Sequence, residues 1–238
     1  MENTTRAFDH QADKEMTAYT VATLFPYLEK RGIKATINTV RELQWKGVDY
    51  VFEGENGRKV YVDEKSQLHY LNNNINTYCL EVGMYNKMGE HIKGWFIDEK
   101  NITELYLLVY PNASGKTYKN VKKSDFDSVE YLLVPKKAIK EYLEAKGLTE
   151  ERLCEEEDYL RAIAMYDNLP RVRKEVNGVR MTVSLVGRNG EPMAEQPCNI
   201  VLPKSVYEEL ALLQLQTSNG IPHTVDDTKL REYFGKVG

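Results

Sequence analysis

The stretch from Val48 to Gln67, VDYVFEGENGRKVYVDEKSQ, constrains the fold more than any other part of the chain. Two β-rich runs, VDYVFE and KVYVDEK, flank GENGR, and a short glycine-containing break between such runs predicts a β-hairpin. Its second strand passes straight from Val60, Tyr61 and Val62 into Asp63, Glu64 and Lys65. A strand that ends on three alternating charges points them at solvent or at a bound ion. Its first strand carries Asp49 among apolar neighbours, where desolvation of a carboxylate demands a cation, hydrogen bonds or exposure.

Asp-x-Lys triplets occur about as often as chance gives in a chain this rich in charge, so context separates them. Glu144 and Lys146 fall near a predicted helix end, where residues two apart diverge. Asp98 and Lys100 follow GWFI and predict a surface turn. Only Asp63 and Lys65 sit at a strand end. Residues two apart on a strand share a face, which puts Tyr61, Asp63, Lys65 and Gln67 in one row and Val60, Val62 and Glu64 in the other. The turn decides whether Asp49 joins the first row. A three-residue loop Glu55-Asn56-Gly57, with Gly57 left-handed, sets Gly54 opposite Arg58 and Asp49 opposite Asp63. A two-residue Asn56-Gly57 turn would set Asp49 against Glu64, on the other face. Opposed residues have Cβ atoms roughly 4.5–5.5 Å apart, close enough for two carboxylates to share a divalent cation. Hard oxygen ligands of this kind suit Mg²⁺ or Mn²⁺.

Around the hairpin, Ala18, Val21, Leu24, Phe25 and Leu28 predict an amphipathic helix over residues 12–30, ended by Arg31-Gly32. Residues 35–46 have no clear type. Strands are predicted at residues 77–82, 104–110 and 129–134, with residues 84–95 weakly helical. Helices are predicted over 136–146 and after Thr149, whose hydroxyl can cap a first turn carrying Glu150 and Glu151. VRMTVSL and CNIVL, around RNGEPMAEQP, predict a second hairpin. A helix is expected from Ser205, with Ser205 and Glu208 as a capping box and Leu210 and Leu213 as its buried stripe.

The order Asp49, hairpin, Asp63-x-Lys65, preceded by a helix and followed by more strands and a helix, resembles the PD-(D/E)xK nuclease superfamily. The resemblance covers roughly the first 145 residues. It implies an α/β fold: a restriction-endonuclease-like core over residues 1–146, with a mixed central sheet flanked by helices, and a C-terminal α/β elaboration over 147–238 packed on it as one domain. TYCLEVGMYNKMGEHIKGWFID and ELYLLVYP are similar to uncharacterised bacterial members. Carried over, the resemblance implies Asp49 and Asp63 as metal ligands with the main-chain carbonyl of Glu64, Lys65 as the catalytic lysine and Gln67 as a further polar site residue. Glu15 on the first helix is a weaker candidate ligand. The implied activity is Mg²⁺- or Mn²⁺-dependent phosphodiester hydrolysis of nucleic acid, DNA favoured over RNA; the alternative is an inactive nuclease-fold protein that binds nucleic acid or protein. Two positions depart from the pattern: Glu64 stands where an apolar residue is usual, and Val48 where the name-giving motif has proline.

Other signals fit this frame. The 238 residues carry 36 acidic and 32 basic side chains, a net charge of −4, so a polyanion would have to be met by a local basic patch. Lys116, Lys119, Lys122 and Lys123 form one candidate, against the plainer alternative of a solvated loop. ASGKT, residues 113–117, lacks the glycine at Tyr110 and the apolar helix that a phosphate loop needs. The four histidines have no zinc spacing. Three scattered cysteines argue against disulfides and for a reducing compartment, and the absence of a signal or membrane-spanning stretch predicts a cytoplasmic protein. Residues 147–238 are left for substrate recognition or homodimer formation.

Overall fold

A computed structural model describes residues 2–86, 88–187, 193 and 195–235. In chain order its elements are α1 (Glu2–Glu29), β1 (Lys34–Ile37), α2 (Arg41–Gln44), β2 (Tyr50–Glu53), β3 (Lys59–Ser66), β4 (Thr77–Tyr85), β5 (His91–Lys93), β6 (Leu105–Asn112) and β7 (Ser128–Pro135). There follow α3 (Lys136–Glu144), α4 (Glu150–Tyr166), β8 (Arg171–Val176), β9 (Val179–Ser184), β10 (Cys198–Pro203), α5 (Lys204–Leu210), β11 (Leu213–Ser218), β12 (Ile221–Asp226) and α6 (Thr228–Phe234). None of these helices is long and apolar enough to cross a membrane.

The chain forms two compact units, each assembled from separated stretches. The first contains the residues up to Ile75, Ile102–Pro135 and those from Glu208 on; the second contains Asn76–Asn101 and Lys136–Tyr207. The sequence reading instead places one boundary at residue 146.

The first unit is built on a seven-stranded mixed sheet in the order β1-β2-β3-β6-β7-β11-β12. Every neighbouring pair in it is antiparallel except β3 and β6, which run parallel with Asp63 beside Tyr106 and Lys65 beside Leu108. Helix α1 covers one face. Its buried stripe is Ala12, Met16, Tyr19, Thr20, Thr23, Leu24, Tyr27 and Leu28, whereas Ala18, expected inside, is exposed. The stripe is rotated because tyrosine and threonine go inside when their hydroxyls find partners. Tyr19 and Thr217 share a 2.9 Å hydrogen bond, Thr23 and Tyr131 one of 3.1 Å, and Tyr27 and Thr224 one of 2.7 Å. The helix stops as its sequence predicts: Gly32 is left-handed (φ +74°), and the Ile33 N–H bonds back to the Leu28 carbonyl at 3.1 Å.

The second unit has a five-stranded sheet, β5-β4-β10-β9-β8. TYCLEV is a strand, as expected, but it lies in this sheet. Residues 91–93 of the weakly helical segment pair with it as β5. Strands β9 and β10 form the expected second hairpin; residues 188–192 and 194 of its connection lie outside the described residues. Helix α4 begins as predicted, with Thr149 Oγ1 accepting the Arg152 N–H at 3.2 Å. The helix expected from Ser205 ends at Leu210. Leu213, expected in its stripe, opens strand β11, which turns at Asn219-Gly220 into β12.

Candidate active site

The hairpin closes through the three-residue loop. Gly57 is left-handed (φ +76°) and donates to the Gly54 carbonyl at 2.9 Å, and the Gly54 N–H reaches the Arg58 carbonyl at 3.0 Å. Asn56 Oδ1 accepts the Arg58 N–H at 2.9 Å and fixes the turn from inside. Tyr50 therefore pairs with Val62 and Glu53 with Lys59. Asp49 stands one residue before β2, in a bend outside the paired register, so the expected opposition to Asp63 is not part of the ladder; the two carboxylates are nonetheless close enough to interact.

At that point the ladder changes character. The Asp49 N–H bonds at 2.9 Å to the carbonyl of Val62, which is already the partner of Tyr50, and the Glu64 N–H is taken by the Asp49 carboxylate, Oδ2, at 2.8 Å. This explains how an aspartate is tolerated in VDYVF: it is exposed, and it serves as the acceptor for the last strand amide. Asp63 is its opposite in burial. Its side chain is only 3% exposed, with Oδ1 paired to Lys65 Nζ at 2.8 Å and Oδ2 buried without a hydrogen-bond partner among the described residues. Burial pushes its pKa up to about 7; Lys65 opposes that shift and the neighbouring Asp49 carboxylate adds to it. The buried Tyr106 hydroxyl, on the parallel strand beside Asp63, is likewise held protonated by burial and that carboxylate.

Glu64 points the other way. Its carboxylate accepts from the Tyr50 hydroxyl at 2.6 Å and the Ser66 hydroxyl at 2.7 Å. Burial pushes its pKa up to about 7 as well, against those hydrogen bonds and with Asp49 adding to the rise. A glutamate stands where an apolar residue was expected because two hydroxyls satisfy it. Only its main chain is on offer to a metal beside Asp63.

Gln67 lies one residue past the end of β3. Its ψ of 47° breaks the strand alternation, so the row Asp63-Lys65 does not extend to it by pattern; its N–H bonds to the Val109 carbonyl at 2.9 Å. Glu15 is engaged elsewhere, accepting the Lys123 N–H at 2.8 Å and the Gln11 amide at 2.7 Å. Asp13, which the sequence reading passed over, is the α1 carboxylate that feels the Asp49 charge. Its pKa is raised by burial, then by Asp9, with Asp49 contributing and His10 and His69 opposing. The signal was there in the helical period: Asp9 and Asp13 are one turn apart on α1.

The other triplets behave as surface features. Asp98 Oδ1 accepts the Lys100 N–H at 3.0 Å, a local turn. In ASGKT the Ser114 N–H bonds to Asp127 at 2.6 Å, the Thr117 N–H bonds to Asn120 at 2.9 Å, and Lys116 pairs with Asp125 at 3.2 Å, so this loop offers no phosphate cradle.

Among the described residues, no three His, Cys, Asp or Glu side chains are grouped closely enough to hold a metal ion. The donors that do converge, two carboxylates with one buried oxygen left over, match a cation that keeps water and substrate oxygens in its remaining positions. Comparison with protein-family models, curated proteins and solved structures returned no match.

Proposed function

We propose that the chain hydrolyses phosphodiester bonds in nucleic acid, DNA before RNA, with Mg²⁺ or Mn²⁺, and that its first unit is a restriction-endonuclease-like core. The observation that carries this proposal is the convergence of the Asp49 and Asp63 carboxylates at the end of the hairpin, with Lys65 bonded to Asp63. The antiparallel pair β2-β3 followed by the parallel neighbour β6, under helix α1, is compatible with such a core.

Asp49, Asp63 and the Glu64 carbonyl would hold the cation. Bound there, it would polarise the phosphodiester and lower the pKa of a water ligand. Asp63 supplies an oxygen already stripped of water, so a cation restores its lost solvation. Lys65, held by Asp63, orients the attacking water or offsets charge developing on the phosphate oxygens. Asp49 needs its fixed place at the hairpin end, which the Glu64 N–H provides.

The test is a screen of single- and double-stranded DNA and RNA with Mg²⁺ and Mn²⁺, with Asp63→Ala as control. Metal-dependent cleavage that Asp63→Ala abolishes is expected. Cleavage that survives both Asp63→Ala and Lys65→Ala would place the chemistry elsewhere, and binding without turnover would leave a nuclease-fold binding module.

A further inference from the structure

An anionic strand approaching Asp49, Asp63, Asp13 and Asp9 meets like charge that one divalent cation offsets only in part. It must therefore be anchored by positive charge close by, in a chain whose net charge is −4. Resting on the function proposed above, we propose that the loop from Tyr118 to Lys123 is that anchor, a track for the sugar-phosphate backbone of a nucleic-acid strand.

The loop is tied to the site through the segment that follows β3. His69, two residues past Gln67, packs on the Tyr118 ring with centroids 4.2 Å apart, and its Nε2 lies 3.1 Å from Asp9 on α1. Three residues later Asn72, left-handed at φ +65°, clamps the start of the loop. Its Nδ2 donates to the carbonyls of Ala113 at 2.8 Å and Lys116 at 3.0 Å, while its Oδ1 accepts the Ala113 N–H at 2.8 Å. The strand that carries Asp63 and Lys65 and the lysine-bearing loop are thus one connected piece.

Within the loop the acidic groups are turned onto the backbone. Asp125 accepts the Lys122 N–H at 2.9 Å and pairs with Lys116, Asp127 accepts the Ser114 N–H, and Glu15 of α1 accepts the Lys123 N–H. These bonds stiffen the loop and occupy its carboxylates, leaving Lys119, Lys122 and Lys123 as exposed side chains. Between the loop and α1 runs a groove of about 630 Å³, lined by Lys122 and Lys123 with Tyr19 and Phe126, and by Glu15 and Asp127, whose carboxylates are the ones turned onto main-chain N–H groups. Cations along a stiff groove suit a polyphosphate chain, and their neutralisation releases counterions.

The experiment measures binding apart from turnover, using full-length Asp63→Ala protein in chelator and fluorescence anisotropy of labelled single- and double-stranded oligonucleotides over a range of NaCl. Adding Lys119→Glu, Lys122→Glu and Lys123→Glu together should weaken binding about tenfold or more and flatten the log–log salt slope by about two to three. A control with the same charge change, Lys34→Glu, Lys59→Glu and Lys137→Glu, should leave both nearly unchanged, and matched thermal melts verify folding. Parental affinity and slope in the loop variant, an equal loss in the control, or no binding by the parent would overturn the track. The two readings fail separately. Cleavage by the loop variant at the wild-type KM removes the track and keeps the active site; loop-dependent binding by a wild-type protein that cleaves nothing removes the active site and keeps the track.

Discussion

Asp49 accepts the main-chain N–H of Glu64 across the hairpin at 2.8 Å, so the peptide of β3 positions the Asp49 carboxylate while the Glu64 side chain points away from it. The Glu64 carboxylate, anchored to Tyr50 and Ser66, fixes the peptide that holds Asp49. Glu64→Gln, which keeps an oxygen acceptor at that position, should retain most of the stability and turnover. Glu64→Leu strands the Tyr50 and Ser66 hydroxyls and should cost about 1–3 kcal/mol in chemical denaturation. It should also lower kcat, by up to about 10²-fold if the strand end moves by an ångström. A Leu variant as stable and as active as wild type would show that Glu64 is a passive core residue.

Gly57 sets the register. At φ +76° with open space where a Cβ would stand, Gly57→Ala suffers no clash, so its cost is purely that of the left-handed backbone. Thermal or chemical unfolding should show a loss of about 1 kcal/mol, and Gly57→Asn a smaller one. An Ala variant at wild-type stability would mean that the turn relaxes to another type and that the register does not depend on it.

Burial pushes the carboxyl pKa values of Asp63 and Glu64 both up to about 7. Between the usual carboxylate range and pH 7 the native state therefore holds protons that the unfolded chain has released. The stability they contribute is present below the usual carboxylate values and is lost as pH rises through about 7. Denaturation in chelator should show stability falling from pH 5 to 8, with a shallower fall in Asp63→Asn. The carboxylates of Asp125, Asp127 and Asp226, held low by hydrogen bonds to main-chain amides, act only below that window. Stability that rises across pH 5 to 8 would contradict this assignment.

Lys65 is the cation beside the buried Asp63 carboxylate, so Lys65→Ala leaves that charge uncompensated. The variant can protonate Asp63 at low pH but not at high pH. Its stability deficit relative to wild type should widen as pH rises above 7, while its metal-dependent cleavage should fall at every pH. A deficit that is flat with pH would mean that the 2.8 Å contact contributes little in solution.

The hairpin was legible because its information is local: turn chemistry and strand alternation act over a few residues, and both point to the same register. Two other signals of that kind were passed over, Asn177-Gly178 and Asn219-Gly220. In each pair both residues are left-handed, and each joins two strands, β8 to β9 and β11 to β12. The stripe of α1 was rotated in the sequence reading because apolar periodicity gives no weight to tyrosine and threonine hydroxyls whose partners lie far along the chain, as Thr217 does for Tyr19. The division into two units could not be read for a similar reason. TYCLEV has the composition of any strand, and its place in the second sheet depends on a partner, CNIVL, more than a hundred residues away. Glu15 and Asp13 show the same limit at the site itself. Two acidic residues two apart on a helix face different neighbours, and only the packing reveals that Lys123 takes one while Asp49 senses the other.

The central claim is that Asp49 and Asp63 share one divalent cation. Calorimetric titration of Mn²⁺ into the wild-type protein at pH 8, where Asp63 is ionised, should give one site, and that site should be lost or strongly weakened in both Asp49→Asn and Asp63→Asn. Wild-type affinity in either variant would contradict it.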